Sequence, residues 1–283
     1  MNDISDIDIK KDDNNIDNEE IDNEIYSKEV ERGMRQLQKY DNEKRFRNKR
    51  SEDYQVLEEV FDLPTLMTLH HLMNSKTFQY LNGVVSAGKE ARVYWGVRED
   101  GSDVAVKIYL TITAEFRKRL VYLVGDPRFK SVKKDVKSLV YLWARKEYKN
   151  LKINYYADIP CPKPLTVSKN VLVMQFIGSN GVSAPLLRDV DVNDQDYRRI
   201  LLLMKKMYKD TKLIHADLSE YNIFKFKRKI MFFDFGSAVF NSHPQADEFL
   251  TRDINNINHF FERRDVDVLS IEKCLKLVKG NKF

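Results

Sequence analysis

Two neighbouring segments constrain this chain more than any others: Ile214-His-Ala-Asp-Leu-Ser-Glu-Tyr-Asn-Ile223 and Phe232-Phe-Asp-Phe-Gly-Ser237. Asp217 stands five residues before Asn222, and Asp234 follows a short apolar run. Between them, residues 223–226 and 230–233 read as two short strands around a basic turn. A fold that accommodates this order must present an acid and an amide on one loop, then end a small hairpin on a second acid. Upstream, residues 91–97 and 104–109 are rich in β-formers and are separated by Asp100-Gly101, a strong hairpin turn. Residues 170–177 read as a buried strand after the breaks at Pro160, Pro162 and Pro164. Helical spacing predicts helices from about Thr65, just after Pro64, over about 131–151, and over about 194–208. Strands concentrated in the first half and helices in the second give an α+β protein in two lobes.

Composition permits two cores, with 42% hydrophobic residues in 283. The longest apolar runs, such as residues 200–204, fall far short of the roughly 20 residues that span a bilayer. The N-terminus is acidic, where a secretory signal would be basic and then apolar, so a cytoplasmic protein without a membrane partner is expected. Cys161 and Cys274 match no metal or redox spacing and are expected to be reduced thiols. The net charge of +5 hides an asymmetry: residues 1–25 hold ten acids against Lys10 and Lys11. That stretch has too little apolar surface to offset the entropy of ordering and reads as a disordered acidic tail. Residues 26–50 are charge-dense and read as a solvated helix or linker. Without the tail the body carries about +13, which suits an ATP site and is compatible with RNA contact, although solvated lysines account for much of it.

The chemistry lies in the spacing. Phosphoryl transfer needs a carboxylate near the attacking oxygen and oxygen ligands that hold a divalent cation on the phosphates. Asp217, Asn222 and Asp234 can supply all three. Each alone reads most simply as a turn residue or a strand-end cap, but the ordered set His-x-Asp-x-x-x-x-Asn with a later Asp-Phe-Gly is a kinase signature. Val104-Ala-Val-Lys107-Ile matches the strand whose lysine reaches the α- and β-phosphates. Glu147, seven residues after Val140 and four after Trp143, falls on the apolar face of its helix. A buried acid is costly unless paired, and Lys107 is the obvious partner. The loop Gly83-Val-Val-Ser-Ala-Gly-Lys-Glu90 nearly spells a P-loop, but Glu90 stands where a hydroxyl is required and a strand follows where a helix is required. It reads better as the turn between two strands, with Gly88 allowing close backbone approach and Ser86 and Lys89 offering donors to phosphates.

With these residues in hand, the chain resembles the RIO kinases, specifically the RIO1 type, from about Val60 to Phe261. The motifs that carry the resemblance are Ser86-Ala-Gly-Lys-Glu-Ala91, Gly125-Asp-Pro-Arg-Phe129, His215-Ala-Asp-Leu-Ser-Glu-Tyr-Asn222, Asp234-Phe-Gly236 and Arg252-Asp253. The family usually carries Ser or Thr where Ala87 stands. The resemblance implies a bilobal kinase-like fold: an N-terminal helical extension over 49–80 after a tail and linker over 1–48, a small β-rich lobe over 81–175, and a reduced helical lobe over 176–283. It implies ATP and Mg²⁺ (or Mn²⁺) in the cleft, with Asp217 as catalytic carboxylate, Asn222 and Asp234 as metal ligands, Lys107 on the phosphates and Glu147 positioning it. Ser86, Gly88, Lys89 and Glu90 would border the nucleotide. Met174 would be the gatekeeper, and the backbone of Gln175 and Ile177 would bond adenine. Residues 111–130 would form a flexible loop.

The resemblance further implies serine autophosphorylation and a role in maturation of the small ribosomal subunit, with the pre-subunit and its rRNA as partners. Asp234 is also a candidate phosphate acceptor, ranked behind its metal role. Only 47 residues follow Gly236, without Ala-Pro-Glu, and Ser219 stands where serine/threonine kinases typically carry lysine. Both features favour ATP hydrolysis over routine peptide phosphorylation. A small-molecule kinase, which shares the Asp…Asn…Asp order, and a nucleotide-binding pseudokinase are the competing readings. Oligomeric state is left open.

Overall fold

The computed structural model describes residues 61–110, 122, 123, 128, 136–226 and 228–280. The expected acidic tail, the charged segment after it, most of the 111–130 loop and residues 131–135 lie outside these. Contacts divide the chain into Met1–Met67 and Thr68–Phe283. The described part of the first unit holds the beginning of helix α1, Leu63–Asn74. This helix starts two residues before the expected Thr65. Asp62 caps it, accepting from the Thr65 N–H at 3.2 Å, and Pro64 occupies the first turn, where no intrahelical donor is lost.

The second unit begins with a five-stranded antiparallel sheet in the order β1-β2-β3-β5-β4. Its strands are β1 Tyr80–Ala87, β2 Ala91–Val97, β3 Asp103–Tyr109, β4 Pro164–Ser168 and β5 Val171–Gln175. The expected Asp100-Gly101 turn closes β2 on β3, with the Arg98 N–H bonded to Ser102 O and the Ser102 N–H to Asp100 Oδ1, each at 3.0 Å. β3 is buried along most of its length and lies between β2 and β5, which sets Lys107 opposite Val93 and Leu172. β4 was not expected, because its first residue is the last of three closely spaced prolines. Pro164 is tolerated because β4 is an edge strand and Pro164 opens it.

Helix α2, Val136–Tyr156, connects β3 to β4 and runs five residues beyond its expected end. Its buried face carries Leu139, Val140, Trp143, Ala144 and Leu151, a 3.6-residue apolar stripe interrupted by four buried polar groups, Lys146, Glu147, Asn150 and Asn154. After β5 the chain forms a small hairpin, β6 Gly178–Ser179 and β7 Val182–Ser183, followed by a 3₁₀ turn at Leu187–Asp189. Helix α3, Asp194–Lys206, opens with a capping box. Asn193 accepts from the Gln195 and Asp196 N–H groups, and Asp196 accepts from the Asn193 N–H. A π-helical turn, Met207–Thr211, carries it beyond the expected Tyr208. Two-residue strands β8 Leu213–Ile214 and β11 Val239–Phe240 pair on either side of the hairpin β9 Ile223–Phe226 and β10 Lys229–Phe232. Helices α4, Ala246–Glu262, and α5, Ile271–Lys279, complete the helical part. No described helix is long and apolar enough to cross a membrane, and both cysteines are free and buried.

Candidate active site

A cavity of about 700 Å³ lies between the sheet and the 222–234 segment. At its back, β3 and α2 bring together the predicted pair. Lys107 Nζ donates to Glu147 Oε1 at 2.9 Å and Oε2 at 2.8 Å, and to Asp234 Oδ1 at 2.9 Å. The Tyr109 hydroxyl also donates to Glu147. Burial works against the charge on Lys107, but Asp234 and Glu147 outweigh it and raise the ammonium pKa. Burial pushes the Glu147 carboxyl up to about 7, against the pull of Lys107. Tyr109 was missed as a site residue. The signal was available, since it lies two residues after Lys107 on the same strand and therefore on the same face.

Asp234 sits at the end of β10 in the left-handed backbone region, φ 62°, a conformation that costs a non-glycine residue about 1–3 kcal/mol unless its surroundings fix it. Helix α2 provides that fixation. Lys146, wholly buried, donates to Gly236 O at 2.9 Å and also to Ala238 O. Asn150 Nδ2 donates to Phe235 O at 2.9 Å and Ala238 O at 3.0 Å. Gly236 allows the close approach, for a Cβ there would lie 2.7 Å from Trp143 Nε1. His215 Nε2 donates to Phe233 O at 2.9 Å, and burial lowers the imidazole pKa to about 4, keeping the ring neutral. Sequence reasoning missed Lys146 and Asn150, whose N–H groups donate to backbone carbonyls.

The Asp217–Asn222 loop is anchored from α4. Asp253 accepts from the Ala216 N–H at 2.8 Å and the Leu218 N–H at 2.9 Å, Arg252 donates to Ala216 O, and Asn256 Nδ2 donates to Leu218 O at 3.0 Å. Burial raises the Asp253 pKa to about 7, opposed by those two N–H groups. Ala216, also left-handed at φ 62°, turns the chain so that Asp217 is exposed between two buried neighbours. Asp217 does not line the cavity itself, whereas Asn222 and Asp234 do. Asn222 Nδ2 donates to Asp217 O at 2.8 Å, which fixes the amide and leaves Oδ1 as its acceptor for a cation. Arg252-Asp253 was quoted in sequence only as a motif, and its anchoring role needed the fold.

The remaining predicted residues also line the cavity. Ser86, Gly88, Lys89 and Glu90 border it between β1 and β2, where the Gly88 N–H bonds to Ala91 O at 2.9 Å. A Cβ on Gly88 would meet that oxygen at 3.2 Å, so the glycine serves a tight turn. Met174, Gln175 and Ile177 form the opposite wall. The Gln175 N–H is committed to Lys163 O at 2.8 Å, and Ile177 O accepts from the Ala184 N–H at 2.8 Å. Among the described residues, no backbone carbonyl takes the Ile177 N–H, which leaves a donor at the wall where a base would lie. These features fit a nucleotide with a divalent cation: a donor for a base, a buried ammonium for phosphates, and two oxygen-bearing side chains, few enough to suit Mg²⁺. Of Gly125–Phe129, only Arg128 is described. Its guanidinium donates to Asn150 Oδ1 at 2.9 Å.

Known proteins resemble this chain over most of its length. The RIO domain model matches residues 92–274, which include Lys107, Glu147, Asp217, Asn222 and Asp234. The serine/threonine-protein kinase rio1 of Schizosaccharomyces pombe is 39% identical over 233 residues, covering 80% of this chain and 47% of that protein. The RIO-type serine/threonine-protein kinase Rio1 of Haloferax volcanii is 36% identical over 241 residues, covering 84% and 83%. The chain spans less than half the length of the eukaryotic relatives it matches. Among solved structures, the Rio2 kinase–ADP/Mg²⁺–phosphoaspartate complex from Chaetomium thermophilum superposes with a TM-score of 0.58 at 25% identity, covering 76% of this chain and 66% of that one. Motif order, sheet topology and domain match converge, and the chain belongs to the RIO kinase family, on its RIO1 branch.

Proposed function

We propose that this chain is an ATP-dependent serine kinase and ATPase of the RIO1 type, with a small lobe over 81–175 and a reduced lobe over 176–283. The observation that carries the reading is the Lys107 ammonium held by both Glu147 and Asp234 at the back of the cavity. A lysine fixed in this way presents a positioned cation to phosphate oxygens. Asp217, exposed on its anchored loop, accepts the proton of the attacking hydroxyl or water. Asn222 and Asp234 would hold Mg²⁺, which when bound neutralises charge developing on the phosphates. The Ile177 N–H orients the base. The related kinases' names support protein serine/threonine phosphorylation, and the Rio2 complex supports a nucleotide with Mg²⁺.

The phosphoaspartate in that Rio2 complex favours a second reading of one residue, that Asp234 accepts a phosphoryl group during turnover. A hydroxylamine-labile label from γ-labelled ATP, absent in Asp234→Asn, would distinguish acceptor from ligand.

The physiological setting we propose is cytoplasmic maturation of the small ribosomal subunit, supported by membership of the RIO1 branch and the basic body. The test is ATP turnover by the protein with and without small ribosomal subunits, beside Asp217→Ala. Stimulation that disappears in the variant is the expected result. Turnover indifferent to subunits would remove the ribosomal assignment and leave the enzyme.

A further inference from the structure

A second cavity, of about 240 Å³, is lined by Arg188, Glu220, Tyr221, Phe260, Arg263 and Arg264. It shares Tyr221 with the nucleotide cavity, which Asp189, the neighbour of Arg188, also lines. Glu220 and Tyr221 lie within the Asp217–Asn222 loop, so the two cavities meet across the segment that carries Asp217. The guanidinium of Arg188 lies 4.7 Å from the Tyr221 ring centroid, and that of Arg264 lies 5.1 Å from that of Phe260. Stacking in this way holds the planar groups in place. Arg264 donates to Arg188 O at 2.6 Å and Val190 O at 3.3 Å, and among the described residues it has no carboxylate partner. Arg188 pairs with Asp189 at 3.0 Å and Arg263 with Glu220 at 3.4 Å. The Arg188–Asp189 pair is about half exposed and solvent-screened, so an incoming anion can displace it at little cost. Glu220 is only 12% exposed and keeps its pair, but the Arg263 guanidinium is 59% exposed and has further donors to offer.

We infer that this pocket receives an acidic side chain of the protein substrate, an aspartate, glutamate or phosphoserine near the acceptor serine. The inference rests on the kinase reading. Three arginines and no lysine suit forked recognition of a carboxylate or phosphate. The pocket's small volume, with Glu220 in its lining, fits a single anionic group. A nucleic-acid backbone is met by an extended basic patch or stripe, which Glu220 in the pocket and Asp189 beside Arg188 interrupt. The shared wall at Tyr221 places the bound group beside the loop that accepts the hydroxyl proton.

The test compares serine peptides flanked by aspartate, phosphoserine or alanine. Affinity is read by fluorescence anisotropy on versions with the acceptor serine replaced by alanine, and KM is read on the serine versions. The aspartate and phosphoserine peptides are expected to bind at least tenfold tighter than the alanine peptide. Arg188→Gln with Arg263→Gln should erase that difference while ATP turnover without peptide stays unchanged. Equal binding of all three peptides, or a preference that survives the double variant, overturns the inference. A single-stranded RNA whose affinity falls in the double variant while the peptides bind alike overturns it in favour of nucleic acid. Absence of ATP turnover in the parent protein would count against the kinase reading alone, since anisotropy still decides the pocket.

Discussion

The two acid-bearing segments of the site are fastened by different chemistry to different helices. The Asp234 segment is held by cations and an amide from β3 and α2: Lys107 takes the carboxylate, while Lys146 and Asn150 take the carbonyls that follow it. The Asp217 loop is held chiefly by a carboxylate on α4, Asp253, which takes backbone N–H groups on either side of the exposed acid. Each arrangement supports a left-handed residue, Asp234 in one and Ala216 in the other. The difference separates two proposed functions. Helix α2 carries Glu147 as well as Lys146 and Asn150, so Lys107 and Asp234, proposed to meet phosphate and metal, are set by one element. Helix α4 fastens the loop of Asp217, the proposed proton acceptor, through a separate set of bonds.

Substitutions can break that separation or sharpen it. The largest stability loss is expected for Asp253→Ala, which leaves two buried N–H groups without their acceptor. At about 2 kcal/mol each, that costs roughly 4 kcal/mol. Chemical denaturation should show the loss, and at temperatures where the variant stays folded turnover should fall steeply while Mg²⁺-nucleotide affinity falls only by the share of Asn222, which rides on the loosened loop. A parallel loss of affinity would mean that the two segments are not independent.

Acid should act through His215, at the junction of the two segments. Its folded pKa is lowered to about 4 from the usual 6.5, so the unfolded chain takes up the proton first. Its contribution is fully present above pH 6.5 and is lost as pH falls toward 4, amounting to about 3 kcal/mol. Denaturation at pH 7 and pH 4.5 should show a smaller acid loss in His215→Gln than in the parent. Equal losses would deny that the buried ring carries this dependence.

A smaller effect is expected for Asn150→Ala, about 2 kcal/mol, since two carbonyls lose a donor but Lys146 still serves one of them. Its signature should be weaker Mg²⁺-dependent nucleotide binding, with the Asp217 loop unaffected. Unchanged metal dependence would show that the fastening from α2 does not govern Asp234.

Much of the site was legible because its key groups belong to patterns. Asp217, Asn222 and Asp234 are spaced along the chain, and Glu147 interrupts a helical apolar stripe that calls for a cation. The β2–β3 hairpin was legible from a local turn. The fastenings were not, for Lys146, Asn150 and Asp253 bond to backbone groups distant in sequence, and a carbonyl leaves no residue-type signature. β4 was obscured because proline reads as a breaker until the strand is known to be an edge. The arginine pocket was equally hidden, being gathered from the 3₁₀ turn, the Asp217 loop and the end of α4. Among the helical residues, the last turn of α3 was misjudged because nothing local signals a π-helical continuation.

The measurement that most directly tests the central claim sets nucleotide binding against turnover in Asp217→Ala. Calorimetric titration with Mg²⁺-ATP analogue should give an affinity close to the parent's, because Lys107, Asn222 and Asp234 are intact, while single-turnover hydrolysis falls by about 10³-fold. Turnover equal to the parent's would contradict the assignment of Asp217 and, with it, the account of how this site transfers a phosphoryl group.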